Sequence, residues 1–192
     1  MIPEYFRDNE ITLVRNVISE EDCTEIISFL NKQNEWKRSK VYENNGQRIV
    51  EADTRTCTDF EISSRAKAYG GDMKRLDEQL HQIFSTALNY YYEKHPQLPI
   101  KRDEGYTALR YDKGQKFTDH YDVIGNGSQR VLSGILYLNE GYTGGELTFP
   151  TMNLQFKPKP GDVIMFPSNF IYVHRSEPIV DGIKYAVVTW FH

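Results

Sequence analysis

From Thr107 onward the chain is cut by turn residues into short runs of β-branched and aromatic side chains, and this pattern constrains its fold more than any other feature. The runs are Thr107–Tyr111, Arg130–Leu138, Glu146–Phe149, Asp162–Phe166, Phe170–His174 and Lys184–Phe191. Gly125-Asn126-Gly127, Gly141, Gly144-Gly145, Pro158 to Gly161, Pro167 and Asp181-Gly182 punctuate them. Short strands at such regular spacing predict a sandwich or jelly roll. The 13 Tyr and 10 Phe fit a chain rich in sheet.

The first hundred residues read differently. Ser19 is placed to cap a helix, with Asp22 completing an imperfect capping box ahead of Ile26, Ile27, Phe29 and Leu30. A second helix is predicted from about Asp72 to about Lys94. Met73, Leu76, Leu80, Ile83, Phe84, Ala87, Leu88 and Tyr91 recur three or four apart, as one buried stripe requires. Trp36 to Phe60 reads as strands, with Asn44-Asn45-Gly46 as a hairpin tip. With no linker visible, one domain over 1–192 is expected. Residues 1–100 would give helical support and extra strands; 101–192 would form the sheet-rich core.

A net charge of −4 offers no basic footprint, which argues against a nucleic-acid partner. Cys23 and Cys57 are too few for a disulfide framework. The first ten residues contain no apolar core of a secretory signal, and no run approaches the roughly 18 apolar residues of a membrane span. A cytoplasmic protein without a membrane partner is therefore expected. The sequence sets no oligomeric state.

Three features point to chemistry. In His120-Tyr121-Asp122, positions i and i+2 of an extended segment face one side, so an imidazole and a carboxylate project together. They are two thirds of a 2-His-1-carboxylate triad that leaves open positions on Fe(II). His-x-Asp is also a common surface pair. His174 follows in a strand-like run, where a hydrogen-bonded structural histidine is the plainer reading. Lys184 enters an apolar, aromatic strand. That placement is unfavourable unless the amine is paired or reaches water, and a ligand carboxylate or solvent at a sheet edge would each serve.

At this point the sequence resembles the prolyl 4-hydroxylase branch of the 2-oxoglutarate/Fe(II) dioxygenases. The resemblance lies in Arg110 to Asp122, Arg130 to Asn139, Gly144-Gly-Glu-Leu-Thr-Phe-Pro150, Lys157 to Phe166, His174, Pro178, Gly182, Lys184 and Thr189-Trp-Phe-His192. Weaker echoes lie in Val14 to Cys23 and in Thr54-Arg-Thr-Cys57. The resemblance implies an α+β fold: a double-stranded β-helix (jelly-roll) core with flanking N-terminal helices. It implies Fe(II) held by His120, Asp122 and His174, with 2-oxoglutarate and O₂ as cosubstrates and ascorbate as an optional reductant. Lys184 would pair with the C5 carboxylate of 2-oxoglutarate, with Tyr137 and Tyr111 in the same pocket. Arg130, Trp190 and His192 match positions that contact the peptide substrate in relatives. The activity implied is hydroxylation of proline in a peptide or protein, with decarboxylation of 2-oxoglutarate to succinate.

Two residues depart from the pattern: Phe117, where relatives often have Tyr, and Leu147, where several have Thr after Gly-Gly-Glu. The alternatives are the same chemistry on a free amino acid or another protein side chain, or a non-enzymatic metal-binding jelly roll. By the same resemblance, Val123–Gln129 and the hairpin around Tyr42–Ile49 are expected to act as mobile segments over the substrate.

Overall fold

A computed structural model describes residues 1–42, 48–49, 53–123 and 129–192. The expected hairpin tip at Asn44-Asn45-Gly46 and the turn at Gly125-Asn126-Gly127 lie outside these residues, as does most of each segment expected to cover the substrate.

In chain order the elements are β1 (Ile2–Phe6), β2 (Ile11–Arg15), α1 (Glu20–Asn31), β3 (Lys37–Arg38), β4 (Val41–Tyr42), β5 (Arg48–Ile49), β6 (Thr58–Glu61), α2 (Ile62–Tyr69) and α3 (Gly71–Lys94). There follow β7 (Thr107–Tyr111), β8 (Phe117–His120), β9 (Leu132–Tyr137), β10 (Thr143–Gly144), β11 (Leu147–Phe149), β12 (Leu154–Phe156), β13 (Val163–Pro167), β14 (His174–Ser176), β15 (Ile179–Asp181) and β16 (Lys184–Phe191). The larger sheet has the order β1-β2-β13-β9-β16-β7-β6-β3, and the smaller β12-β11-β14-β8. Two-stranded ribbons, β10-β15 and β4-β5, complete the pairing among the described residues. All the pairings between these strands are antiparallel.

Period-two alternation gives the larger sheet two different faces. On β16, Tyr185 and Val187 join Leu132, Leu136 and Ala108 in a core with α1 and α3. Lys184, Ala186, Val188 and Trp190 face the other way, into a cavity. Ile11, Leu13, Ile164 and Phe166 of the larger sheet meet Leu147, Phe149 and Phe156 of the smaller, forming a second core. The cavity lies between the sheets, with a wall from each.

The helices follow from their sequences. Ser19 Oγ accepts from Asp22 N (3.1 Å) while Asp22 Oδ2 accepts from Ser19 N (3.2 Å), so Asp completes the capping box despite its shorter reach. On α3, Met73, Leu76, Leu80, Ile83, Phe84, Ala87 and Tyr91 are buried, and Leu88 is partly so.

Several elements differ from the sequence reading. Helix α2 was not expected, because it buries only Ile62 and Ala66 and so carries little stripe. Gly70 and Gly71, both at positive φ (64° and 59°), divide it from α3. The β1–β2 hairpin was also unexpected. Its turn has no glycine; Arg7, Asp8 and Asn9 take the left-handed conformation instead. Finally, Phe170–Tyr172 is a 3-10 turn rather than part of a strand, capped by Asn169 Oδ1 accepting from Ile171 N (3.0 Å). That turn makes His174 the first residue of β14 instead of the last of a longer strand. No helix among the described residues is long and apolar enough to cross a membrane.

Candidate active site

His120 closes β8 and His174 opens β14, and the two are direct partners across that ladder. Asp122 lies two residues past His120, where its N–H and that of Val123 both donate to Ser168 O (3.0 and 3.1 Å). The chain thereby turns so that the carboxylate meets the imidazoles. One ligand atom from each of His120, Asp122 and His174 lies within 4.8 Å of the others. His120 Nε2 is 3.8 Å from Asp122 Oδ1, and His174 Nε2 is 3.7 Å from Asp122 Oδ2.

The surroundings set the protonation that a cation needs. His120 Nδ1 lies 2.7 Å from Thr118 O, and His174 Nδ1 lies 3.0 Å from Tyr172 O. A carbonyl only accepts, so each Nδ1 carries a proton and each Nε2 is turned toward the shared point. Burial, then the neighbouring His174, holds His120 well below the usual imidazole range, so it stays neutral. Burial alone would raise Asp122. The His174 and His120 rings, with hydrogen bonds from Ser133 and Trp190, outweigh it and keep the carboxyl ionised. Ser133 Oγ donates to Asp122 Oδ2 at 2.6 Å. Two imidazole Nε2 atoms and one carboxylate facing a common point are a donor set that suits a divalent first-row ion such as Fe(II).

Beyond the triad the cavity runs between the sheets to Lys184. Lys184 is only 3% exposed and stands opposite Tyr111 across the β16–β7 ladder. Its ammonium donates to Gly145 O (2.6 Å) and Ser176 Oγ (3.0 Å) and lies 5.2 and 5.3 Å from the Tyr111 and Tyr137 rings. Burial pushes it down to about 8, against the pull of Cys57 and Glu146. Lys184, Tyr111 and Tyr137 therefore share one cavity with the triad. A solvent-facing edge lysine is ruled out by that burial.

The three residues expected at the substrate rim are arranged less simply. Arg130 forms a two-point ion pair with Glu104, donates to the carbonyl of Asp122 (3.1 Å) and stacks on Trp190 at 3.8 Å. His192 Nε2 meets Glu104 Oε1 at 2.7 Å. Only Trp190 of the three lines the cavity, and its indole also reaches Asp122. Phe117 stacks on the His120 ring, with centroids 3.4 Å apart, under the guanidinium of Arg55.

Sequence reasoning passed over Arg55, Glu104, Ser133 and Ser176. Arg55 lay in a noted tetrapeptide but was given no role. Ser133 had a usable signal: it stands four residues before Tyr137 on one strand, hence on the same face.

Residues 106–192 match the family model of the 2OG-Fe(II) oxygenase superfamily. Prolyl 4-hydroxylase 5 of Arabidopsis thaliana is 26% identical over 214 residues, covering 92% of this chain and 66% of the plant protein. Among solved structures, the viral collagen prolyl hydroxylase of Paramecium bursaria Chlorella virus-1 superposes with a TM-score of 0.65 at 20% identity, covering 95% of each chain. A prolyl hydroxylase of Trichoplax adhaerens, solved with a hypoxia inducible factor peptide fragment, gives 0.71 at 17% identity over 95% of this chain and 83% of its own. The structural likenesses carry the fold. Residues 106–192, which hold the His-Asp-His cluster, match the 2OG-Fe(II) oxygenase superfamily, and over most of its length the chain is similar to prolyl 4-hydroxylases.

Proposed function

We propose that this oxygenase hydroxylates a proline within a peptide or protein, with His120, Asp122 and His174 holding Fe(II) and Lys184 holding 2-oxoglutarate. The observation that carries the reading is the buried Lys184 ammonium in the same cavity as the three clustered ligand atoms. A non-enzymatic ion site gives no reason for that amine. We also take 1–192 as one domain, since α1 and α3 share a core with β9, β13 and β16.

The bound iron and 2-oxoglutarate would supply the oxidation itself, with O₂ consumed and succinate and CO₂ released. The chain's own residues do the rest. Thr118 O and Tyr172 O fix both imidazoles with Nε2 inward. Ser133 and Trp190 hold the Asp122 carboxylate. The Lys184 ammonium neutralises the distal carboxylate of the cosubstrate, and the Tyr111 and Tyr137 rings keep water from it. Trp190 offers the substrate a flat apolar surface at the cavity wall. The Glu104–Arg130–His192 group braces that surface from behind.

The test is mass spectrometry of proline-containing peptides, with free proline alongside, after incubation with Fe(II), ascorbate and 2-oxoglutarate. A gain of one oxygen on a peptide proline is expected. Succinate release stimulated by free proline but by no peptide would move the substrate to the free amino acid.

A further inference from the structure

We propose that Ser176 is a second donor to the distal carboxylate of the 2-oxo acid and helps the site select a dicarboxylic cosubstrate. This rests on the cosubstrate role given above to Lys184.

The argument begins with donors and acceptors. The Lys184 ammonium has three N–H groups. Two are directed to Gly145 O and Ser176 Oγ. Because Ser176 Oγ accepts from an ammonium, its own proton must point elsewhere. No protein acceptor for it stands among the described residues, although the residue is buried and lines the cavity. A buried hydroxyl whose proton lacks an acceptor is unfavourable. A carboxylate beside Lys184 would accept both that proton and the remaining ammonium N–H.

Strand register explains why the hydroxyl sits here. Leu147 and Ser176 are direct partners across the β11–β14 ladder, and both side chains face the cavity. The departure at Leu147 removes a hydroxyl that several of the enzymes this chain resembles have at that position. Ser176 supplies one from the neighbouring strand, where facing Cβ atoms lie about 5 Å apart. Thr148 cannot substitute, because its hydroxyl donates to Glu177 Oε1 (2.8 Å). The hydroxyl has in effect moved one rung sideways while Lys184 kept its place.

The test is anaerobic calorimetric titration of the Mn(II)-loaded protein with 2-oxoglutarate and with 2-oxopentanoate, which carries a methyl in place of the distal carboxylate. Ser176→Ala should weaken 2-oxoglutarate binding about tenfold and leave 2-oxopentanoate unchanged, because only a charge-assisted hydrogen bond is lost. Ser176→Thr should bind 2-oxoglutarate like the parent protein. Leu147→Thr added to Ser176→Ala should restore most of the lost affinity. Unchanged 2-oxoglutarate affinity in Ser176→Ala would overturn the proposal, and so would an equal loss for both acids, including one caused by misfolding. If the parent protein with Mn(II) binds neither acid, the reading of the cavity as a cosubstrate pocket fails and this proposal falls with it.

Discussion

The two ends of the cavity are built on different principles. At the metal end the imidazoles are oriented locally, although His174 comes from a different strand. Each histidine is oriented by the carbonyl two residues before it, and Asp122 follows His120 by two positions. The lysine end is assembled from afar. Lys184 on β16 meets Gly145 from the segment before β11, Ser176 from β14, Tyr111 from β7 and Tyr137 from β9. The first arrangement fixes geometry through the backbone, as a metal ion requires. The second surrounds one charge with groups from several strands, which lets single substitutions tune what the pocket accepts.

If the metal end is the chemical centre, its loss should have the largest effect. His174→Ala or Asp122→Ala should bring oxygen incorporation to background and abolish stoichiometric Co(II) binding, read by the cobalt absorption bands. Retained Co(II) binding in both variants would show that the cluster is not the metal site. Next in size is Lys184→Ala. It leaves the cosubstrate carboxylate without its cation, a loss on the order of 2–5 kcal/mol in 2-oxoglutarate binding. Metal affinity should change little, and a parallel fall in both would erase the distinction between the two ends.

Ser133→Ala removes the 2.6 Å bond to Asp122 and should weaken metal binding about 10–100-fold. Its effect on 2-oxoglutarate affinity, measured at saturating metal, should be small. The pH dependence should be smaller again and confined to the lysine end. Burial puts the Lys184 ammonium at about 8, so the charge is present below that pH and lost above it. The 2-oxoglutarate dissociation constant should therefore rise about tenfold between about pH 7 and 9. Lys184→Arg should flatten that profile, because guanidinium stays charged. A profile unchanged by the substitution would place the titration elsewhere. The smallest effect lies outside the cavity, where Ser19→Ala should lower stability by about 1 kcal/mol, read by denaturant unfolding, with both ligand affinities intact.

How much of this was legible in the sequence varied by element. Strands β7 and β16 coincide with the runs read at Thr107–Tyr111 and Lys184–Phe191, because both are short runs rich in β-branched and aromatic residues. Helix α3 was legible from its long stripe, whereas α2 was too short and polar to leave one. The β1–β2 hairpin was hidden because its turn uses Arg7, Asp8 and Asn9 in place of glycine. At the site, the grouping of His120 with Asp122 could be read from their spacing. The roles of Glu104 and Ser176 could not. Arg130 was expected at the substrate by resemblance, yet its guanidinium is engaged by Glu104 and the Asp122 carbonyl. An ion pair between residues 26 apart leaves no periodic signature.

The sequence by itself determined the strand-rich second half and the long helix α3, since each follows from a local pattern of side chains along one element. Only the tertiary structure decided that His174 pairs with His120 across a ladder, that Lys184 is buried in the same cavity, and that Ser176 stands beside it. Those facts depend on strand register and on how two sheets face each other. They are set by packing between distant segments, which no local pattern encodes.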